Sequence, residues 1–307
     1  MLRSFDPIQY AFSRVSLYRS TDKSGRLFPF LHTHLSAMGN TGAKDAHPTT
    51  ATSTFTDADD EVLTEALHVN LQQLVAYAHS ADTSLQREVA EKLANEAVKP
   101  DRQVQIVELN GLQLLLPLTK STDTEVQRLA AHALANLSVN SQNQSKMATE
   151  GGIGMLIDLL GSSNEHVQRQ AAKALANLGV NVDNKERIAK AGGIKPLIDL
   201  ASSRQIGVAV EAVAALANLA VNDANEIEIA RKGGLKSIID GAHSESMELQ
   251  SQVARALRNL SVNPENKQAI VDLGGVEALQ SLVRSTNDRI CQQATRALVN
   301  LGVNVVD

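Results

Sequence analysis

Between Asn184 and Asn222 the chain reads NKERIAKAGGIKPLIDLASSRQIGVAVEAVAALANLAVN, and its apolar positions fall into three helical blocks. The opening NKERIAKA has Ile188 and Ala191 as its apolar positions and supports one short helix. Gly192-Gly193 ends it, because glycine supplies the left-handed residue common just past a helix C-terminus. GIKPLIDLA then places Ile194, Leu197, Ile198 and Ala201 on one face, at the i, i+3, i+4, i+7 spacing of a helix. Pro196 falls near the first turn, where a missing N–H costs nothing. Ser202-Ser203-Arg204 makes a polar break, and a longer helix dense in Ala, Val and Leu follows from Ile206 to Ala220. Asn222 reads as its end, since Asn tolerates the left-handed conformation at a helix C-terminus. The spacing predicts a short, a medium and a long helix, with no strand-type alternation.

The block recurs. Asn95, Asn136, Asn177, Asn218, Asn259 and Asn300 lie 41 residues apart, closing the phrases KLANEAV, ALANLSVN, ALANLGVN, ALANLAVN, ALRNLSVN and ALVNLGVN. Asn110-Gly111, Gly151-Gly152, Gly192-Gly193, Gly233-Gly234 and Gly274-Gly275 keep the same interval. Fixed self-similarity at this period marks stacked copies of one supersecondary unit. The expected organisation is a non-repeating, disordered segment over 1–60 and an all-α array over 62–304. That array is a partial repeat (62–99) followed by five full ones. A solenoid encloses no single deep cleft, so function is sought on the surface that its repeats build in common. A second row (Asn140, Asn181, Asn222, Asn263 and Asn304) follows the first by four residues and reads as helix-terminating structure.

Three helices with an Ala-rich third and a Gly-Gly hinge after the first resemble the armadillo repeat. The wording is closest to vacuole-associated armadillo scaffolds and to the armadillo tails of certain kinesins, which carry similar "KLAN" and "ALANL" phrases. The resemblance implies a right-handed armadillo-repeat superhelix, three helices per 41-residue repeat, whose third helices line a concave groove. In that groove the third-helix Asn contacts an extended peptide's backbone. A carboxamide offers donor and acceptor together, which a peptide bond needs. Asn136, Asn177, Asn218, Asn259 and Asn300 are the candidates. Asn95, beside Glu91 in an imperfect unit, is set apart. The other open role is that these side chains tie each repeat to the next.

Residues four and eight positions before each Asn share its face. Eight earlier stand Arg87, Arg128, Arg169, Val210, Ser251 and Gln292; four earlier stand Glu91, His132, Lys173, Ala214, Arg255 and Arg296. In importin-type armadillo proteins the second position is typically Trp. This chain has no Trp, which argues against a nuclear transport adaptor. Arg128, His132, Arg169, Lys173, Arg255 and Arg296 instead give the expected groove a basic character, with no acid in these rows after Glu91 and with Arg258 at the edge. Such a stripe suits an acidic or phosphorylated peptide, which arginine grips bidentately.

Composition agrees. Seven of the eight Phe and Tyr residues precede residue 60, so the array is built from Ala, Leu, Ile and Val. Cys291 is the single cysteine, which excludes an intrachain disulfide and suggests a reducing, cytoplasmic setting. The net charge of −5 argues against nucleic-acid binding, which needs a basic footprint. The most apolar runs are too short to cross a bilayer. HExxH, CxxC, GxSxG and Walker motifs are absent, so neither an enzyme nor a metal or cofactor is expected. Residues 1–37, Arg/Ser-containing and acid-poor, read as a tail or a targeting segment, and MGNTGAKD from Met38 is a weak match to a myristoylation signal for vacuole-membrane attachment. At the other end, Leu298, Leu301 and Val303 are expected to lack a covering repeat, which favours self-association or a docking partner.

Overall fold

The computed structural model describes residues 73–303, and within them the 41-residue period is a period of three helices. Residues 73–78 are helical, and a third helix follows them, α1 (Thr83–Ala97). Five triplets follow. They are α2 (Pro100–Glu108), α3 (Gly111–Thr119) and α4 (Thr124–Leu137); α5 (Ser141–Thr149), α6 (Gly152–Leu160) and α7 (Glu165–Leu178); α8 (Val182–Lys190), α9 (Ile194–Ala201) and α10 (Ile206–Leu219); α11 (Asp223–Arg231), α12 (Gly234–Asp240) and α13 (Met247–Leu260); and α14 (Pro264–Asp272), α15 (Gly275–Val283) and α16 (Asp288–Asn300). A short 3₁₀ turn, Gly241–His243, extends α12. No strand occurs among the described residues. The expectations for residues 1–60, for 62–72 and for Asn304 lie outside the described residues.

From Tyr77 onward the chain packs as one unit. Like stacks on like: α1, α4, α7, α10, α13 and α16 pack in series, as do the first helices and the second helices of successive repeats. The residues that allow this are small. Ala133, Ala174, Ala215, Ala256 and Ala297 are wholly buried at equivalent positions of the third helices, and each is followed by a buried leucine. Alanine lets neighbouring helices approach closely, and each buried leucine contributes roughly 1.5–3 kcal/mol. The last of these leucines, Leu298, is 2% exposed. The array covers it without a further repeat, contrary to the expectation of an uncovered terminal face at that residue. Leu301 and Val303 are partly exposed.

The hinge between first and second helices behaves as its glycines require. Gly151 takes φ +90°, and a Cβ on Gly152 would lie 2.7 Å from the Met147 carbonyl oxygen. The first glycine supplies the left-handed turn and the second lets the chain pass close over the preceding helix. Asn110 does the first job at φ 59°.

The second asparagine row has a different mechanism from the one expected. Asn140, Asn181, Asn222 and Asn263 hold extended backbone, not left-handed, and their side chains accept hydrogen bonds from the first backbone N–H groups of α5, α8, α11 and α14. They are N-caps of the next repeat rather than C-terminal stops of the last. Three residues on runs a ladder with no counterpart in the sequence-based expectations. Asn143, Asn184, Asn225 and Asn266 are almost completely buried. Each Nδ2 donates twice: once to a carbonyl at the end of the third helix just completed, and once to a first-helix carbonyl of the preceding repeat. For Asn184 these are Leu178 O at 3.2 Å and Gln144 O at 3.1 Å. Helix C-terminal carbonyls have no intrahelical donor, so this side chain satisfies one and clamps two repeats together.

Candidate functional site: the third-helix face

The third helices share N-caps and faces. Asp82, Asp123, Asn164, Ser246 and Asn287 cap five of them through their side chains, while α10, preceded by Gln205, lacks such a cap. Their common phase brings equivalent positions into rows, so the geometry of the face follows from the rows.

The candidate asparagines form a chain of contacts directed backwards. Asn218 Nδ2 donates to Ala176 O at 2.7 Å, Asn259 Nδ2 to Ala217 O at 2.8 Å, and Asn300 Nδ2 to Arg258 O and Ser261 Oγ, both at 3.1 Å. Asn177 Nδ2 donates to Ser138 Oγ at 3.0 Å. Asn136 breaks the series: its Nδ2 is buried without a partner. The tethering role is therefore present in four of the five candidates. It occupies the amide donor only, and Oδ1 of Asn177, Asn218 and Asn300 accepts no hydrogen bond among the described residues.

The cations are not a uniform stripe. Arg128 is spent on Glu125, with Nε–Oε2 at 2.8 Å and Nη2–Oε1 at 2.7 Å. Arg87, one repeat earlier, pairs with Asp123. His132 is held below the usual imidazole range, first by burial and then by the charges of Arg128 and Lys173, so it adds little positive charge at neutral pH. Arg169 lies over the next third helix, where a Cβ on Gly207 would meet its Cδ and Nε at 3.2 Å. Lys173 and Arg169 both act on Glu211, a half-buried acid that the two rows read from sequence passed over. Burial pushes its carboxyl up, the two cations pull it down, and Glu248 pushes it up again. Glu211 thus interrupts the basic character in the middle of the array, where Val210 and Ala214 already stand.

Beyond Glu211 the arginines are unpaired. Arg255 reaches back to donate Nη2 to Ala214 O at 3.1 Å, while its Nε is buried with no partner. Its pKa is lowered by burial first, then by Arg289 and Arg258. Arg258 lies against Asn259 Oδ1, through Nε at 3.2 Å and Nη2 at 2.9 Å. Neither of these, nor Arg289 or Arg296, has a carboxylate within ion-pair distance among the described residues. Arg258 and Arg296 both line an open cleft of about 360 Å³, completed by Asn259, Val262, Thr295, Val299 and Asn300.

An apolar row borders the asparagines. Val139, Val180, Val221 and Val262, each three residues beyond a candidate Asn, are about 60% exposed. Buried, unpartnered polar atoms complete the pattern. Asn136 Nδ2, Gln252 Oε1, Arg255 Nε and Gln293 Oε1 are the ones found among the described residues, and all four lie on third helices.

Comparison with known proteins agrees with this geometry. A family model described as Armadillo-like matches residues 112–290. The chain belongs to this family. Among solved structures, an engineered protein is 37% identical with a TM-score of 0.70, covering 76% of this chain and 96% of its own. A designed armadillo repeat protein in complex with the peptide (KR)4 is 26% identical with a TM-score of 0.68, over 75% of this chain and 98% of its own. Computationally designed armadillo repeat proteins for modular peptide recognition match at 26% identity and a TM-score of 0.70, over 76% of this chain and 99% of the other. A search of curated proteins finds no match. The fold is thus a right-handed armadillo-repeat superhelix, commonly a peptide-binding and non-enzymatic scaffold. Among the described residues of this armadillo array no three His, Cys, Asp or Glu side chains group as metal ligands, and no helix is long and apolar enough to cross a membrane. Cys291, partly exposed, stands where Gln127, Gln168 and Gln250 close back on the turn before their helices, a slot in the scaffold.

Proposed function

We propose that the array is a non-catalytic scaffold that holds an extended, acidic peptide segment of a partner protein along its third-helix groove. The observation that carries this is the row of third-helix asparagines whose amide donors are committed to the repeat before, while Oδ1 of Asn177, Asn218 and Asn300 accepts no hydrogen bond among the described residues. A peptide backbone presents an N–H donor at nearly every residue, and these oxygens are acceptors for it on one face. Val139, Val180, Val221 and Val262, exposed beside them, offer apolar contact.

Charge selects the peptide. Arg169, Lys173, Arg255, Arg258 and Arg296 on this face favour acidic side chains and disfavour a basic ligand such as the (KR)4 bound by the designed protein. The absence of Trp removes the aliphatic-stem slots of a nuclear transport adaptor. By the similarity of its repeat phrases to vacuole-associated scaffolds and kinesin tails, a membrane-associated or cytoskeletal process in the cytoplasm is the setting we assign.

Fluorescence anisotropy with acidic, neutral and (KR)4 peptides tests the reading. The acidic peptides should bind, weaken as salt rises, and lose affinity in Arg169→Glu/Lys173→Glu. Unchanged affinity in that variant, or a preference for (KR)4, would sink the basic-groove assignment.

A further inference from the structure

We propose that the cleft between α13 and α16 receives a phosphorylated side chain of the bound peptide, with Arg258 and Arg296 gripping the phosphoryl group and Val262 and Val299 flanking its stem. The proposal rests on the acidic-peptide reading and narrows it to one position and one chemistry.

Arg258 is held in place before any ligand arrives. Its guanidinium rests on Asn259 Oδ1, and Asn259 is itself fixed by its bond to Ala217 O. The main-chain carbonyl of Arg258 accepts from Asn300 Nδ2 at 3.1 Å and from Ser261 Oγ at 3.0 Å. A pre-set guanidinium loses little freedom on binding, which is where much affinity for a small anion is otherwise lost.

The charge around the cleft is uncompensated and multiple. On the outer helices, four lysines have partners one turn away, Lys190 with Glu186, Lys195 with Asp199, Lys232 with Glu228 and Lys236 with Asp240, while Arg187, Arg231 and Lys267 stand singly among the described residues. On α13 and α16, Arg255, Arg258, Arg289 and Arg296 have no carboxylate partner among the described residues, and Arg255 feels both Arg258 and Arg289. A carboxylate brings one charge and two oxygens. A phosphoryl group brings close to two charges near neutral pH and three acceptor oxygens, which answers two or more guanidiniums at once. The rest of the cleft's lining is mixed: Asn259, Thr295 and Asn300 are polar, while Val262 and Val299 are 62% and 63% exposed. Two guanidiniums together with two exposed valines suit a charged tip on an apolar stem. A nucleic-acid backbone fits less well, because it requires cations spread along a track, whereas here two arginines line one cleft of an acidic chain.

The test uses the full chain against bead-bound degenerate peptides with one fixed central residue: phosphoserine, phosphothreonine, phosphotyrosine, glutamate or the unmodified hydroxyl residue. Individual hits are then titrated. Phosphopeptides should bind about tenfold or more tighter than their glutamate counterparts, a difference of about 1.4 kcal/mol. Millimolar inorganic phosphate should compete. Arg258→Ala/Arg296→Ala should abolish the preference without lowering the melting temperature, since the substitution removes like charges. Arg258→Lys/Arg296→Lys, which keeps charge but loses the planar fork, should weaken it, while Lys236→Ala on the outer face should leave it unchanged. Equal binding of glutamate and phosphorylated peptides overturns the phosphoryl assignment and leaves the acidic-peptide reading intact. A phosphate preference that survives Arg258→Ala/Arg296→Ala overturns the location. Failure of every acidic and phosphorylated peptide to bind overturns both readings.

Discussion

Two asparagine ladders run through this protein at the same 41-residue interval, and they do different work. Asn143, Asn184, Asn225 and Asn266 sit on first helices, are almost completely buried, and each donate two hydrogen bonds into the repeat before, one to its first helix and one to the end of its third. Asn177, Asn218, Asn259 and Asn300 sit on third helices, are partly exposed, and donate to the repeat before. The residue type and the period are shared; the environment is not. A carboxamide sealed in the interior can only be structure. A carboxamide with its donor committed and its oxygen facing a groove holds the scaffold and still offers an acceptor.

Asn184→Ala should separate the ladders most sharply. It strips the donor from two buried carbonyls, Gln144 O and Leu178 O, at a cost of about 2–4 kcal/mol in denaturant unfolding. The folded fraction should bind acidic peptide as the parent does. Asn218→Ala is the counterpart. It removes one partly exposed bond to Ala176 O, so stability should fall by about 1 kcal/mol. Peptide affinity should fall with it, most clearly in the combined Asn177→Ala/Asn218→Ala chain measured by anisotropy. Equal stability losses from Asn184→Ala and Asn218→Ala would erase the distinction between the ladders.

The architecture was legible in the sequence because a period repeats its information. Gly192-Gly193, the Ala-rich third helix and Pro196 in the first turn of α9 all mean locally what they do in the fold. The site was legible only in part. Spacing placed Asn136, Asn177, Asn218, Asn259 and Asn300 on one face, but it could not show that their amides already reach the preceding helix, because that depends on the rise between repeats. Reading two rows of a helix also missed Glu211, which lies one turn before Ala214. A wider strip, seven residues before each Asn, would have shown Glu88, Leu129, Gln170, Glu211, Gln252 and Gln293 and so found the acid. Asn143, Asn184, Asn225 and Asn266 were visible as a perfect 41-residue series, yet nothing in the period marks a buried Asn apart from an exposed one. The N-caps were misassigned for a related reason: Asn140 and its equivalents stand at the junction of two helices, and both ends favour asparagine.

Within the groove, Glu211 and His132 make the contrast between interior and surface depend on pH. Glu211 titrates above its ordinary 4.5, so the folded state holds its proton more tightly than the unfolded state does. Its contribution is therefore lost as pH rises from 4.5 through the folded value. Glu211→Gln should raise stability at neutral pH by a small amount and tighten acidic-peptide binding by removing a half-buried acid between Lys173 and the distal arginines. His132 titrates below its ordinary 6.5, so the unfolded chain takes up the proton first and stability falls as pH drops below 6.5. His132→Gln should flatten that decline in thermal melts between pH 7 and pH 5. A decline as steep as the parent's would assign it to other groups.

The smallest effect belongs to the outer helices. Lys236 and Asp240 pair across one turn of α12, both more than half exposed, at 64% and 57%. Water and salt screen such a pair, and ordering two long side chains offsets what attraction remains, so Lys236→Ala should change stability by no more than about 0.5 kcal/mol. Peptide affinity should not move, since this lysine's field is already answered by its neighbour and it lies on a second helix, off the third-helix face. The substitution removes the same formal charge as Arg296→Ala, where no carboxylate answers and the peptide is expected to. Measured side by side at low and moderate salt, the two variants show whether affinity follows the net charge of the chain or the unpaired charge of the groove. Equal losses of affinity would mean that the distal arginines act as no more than general surface charge.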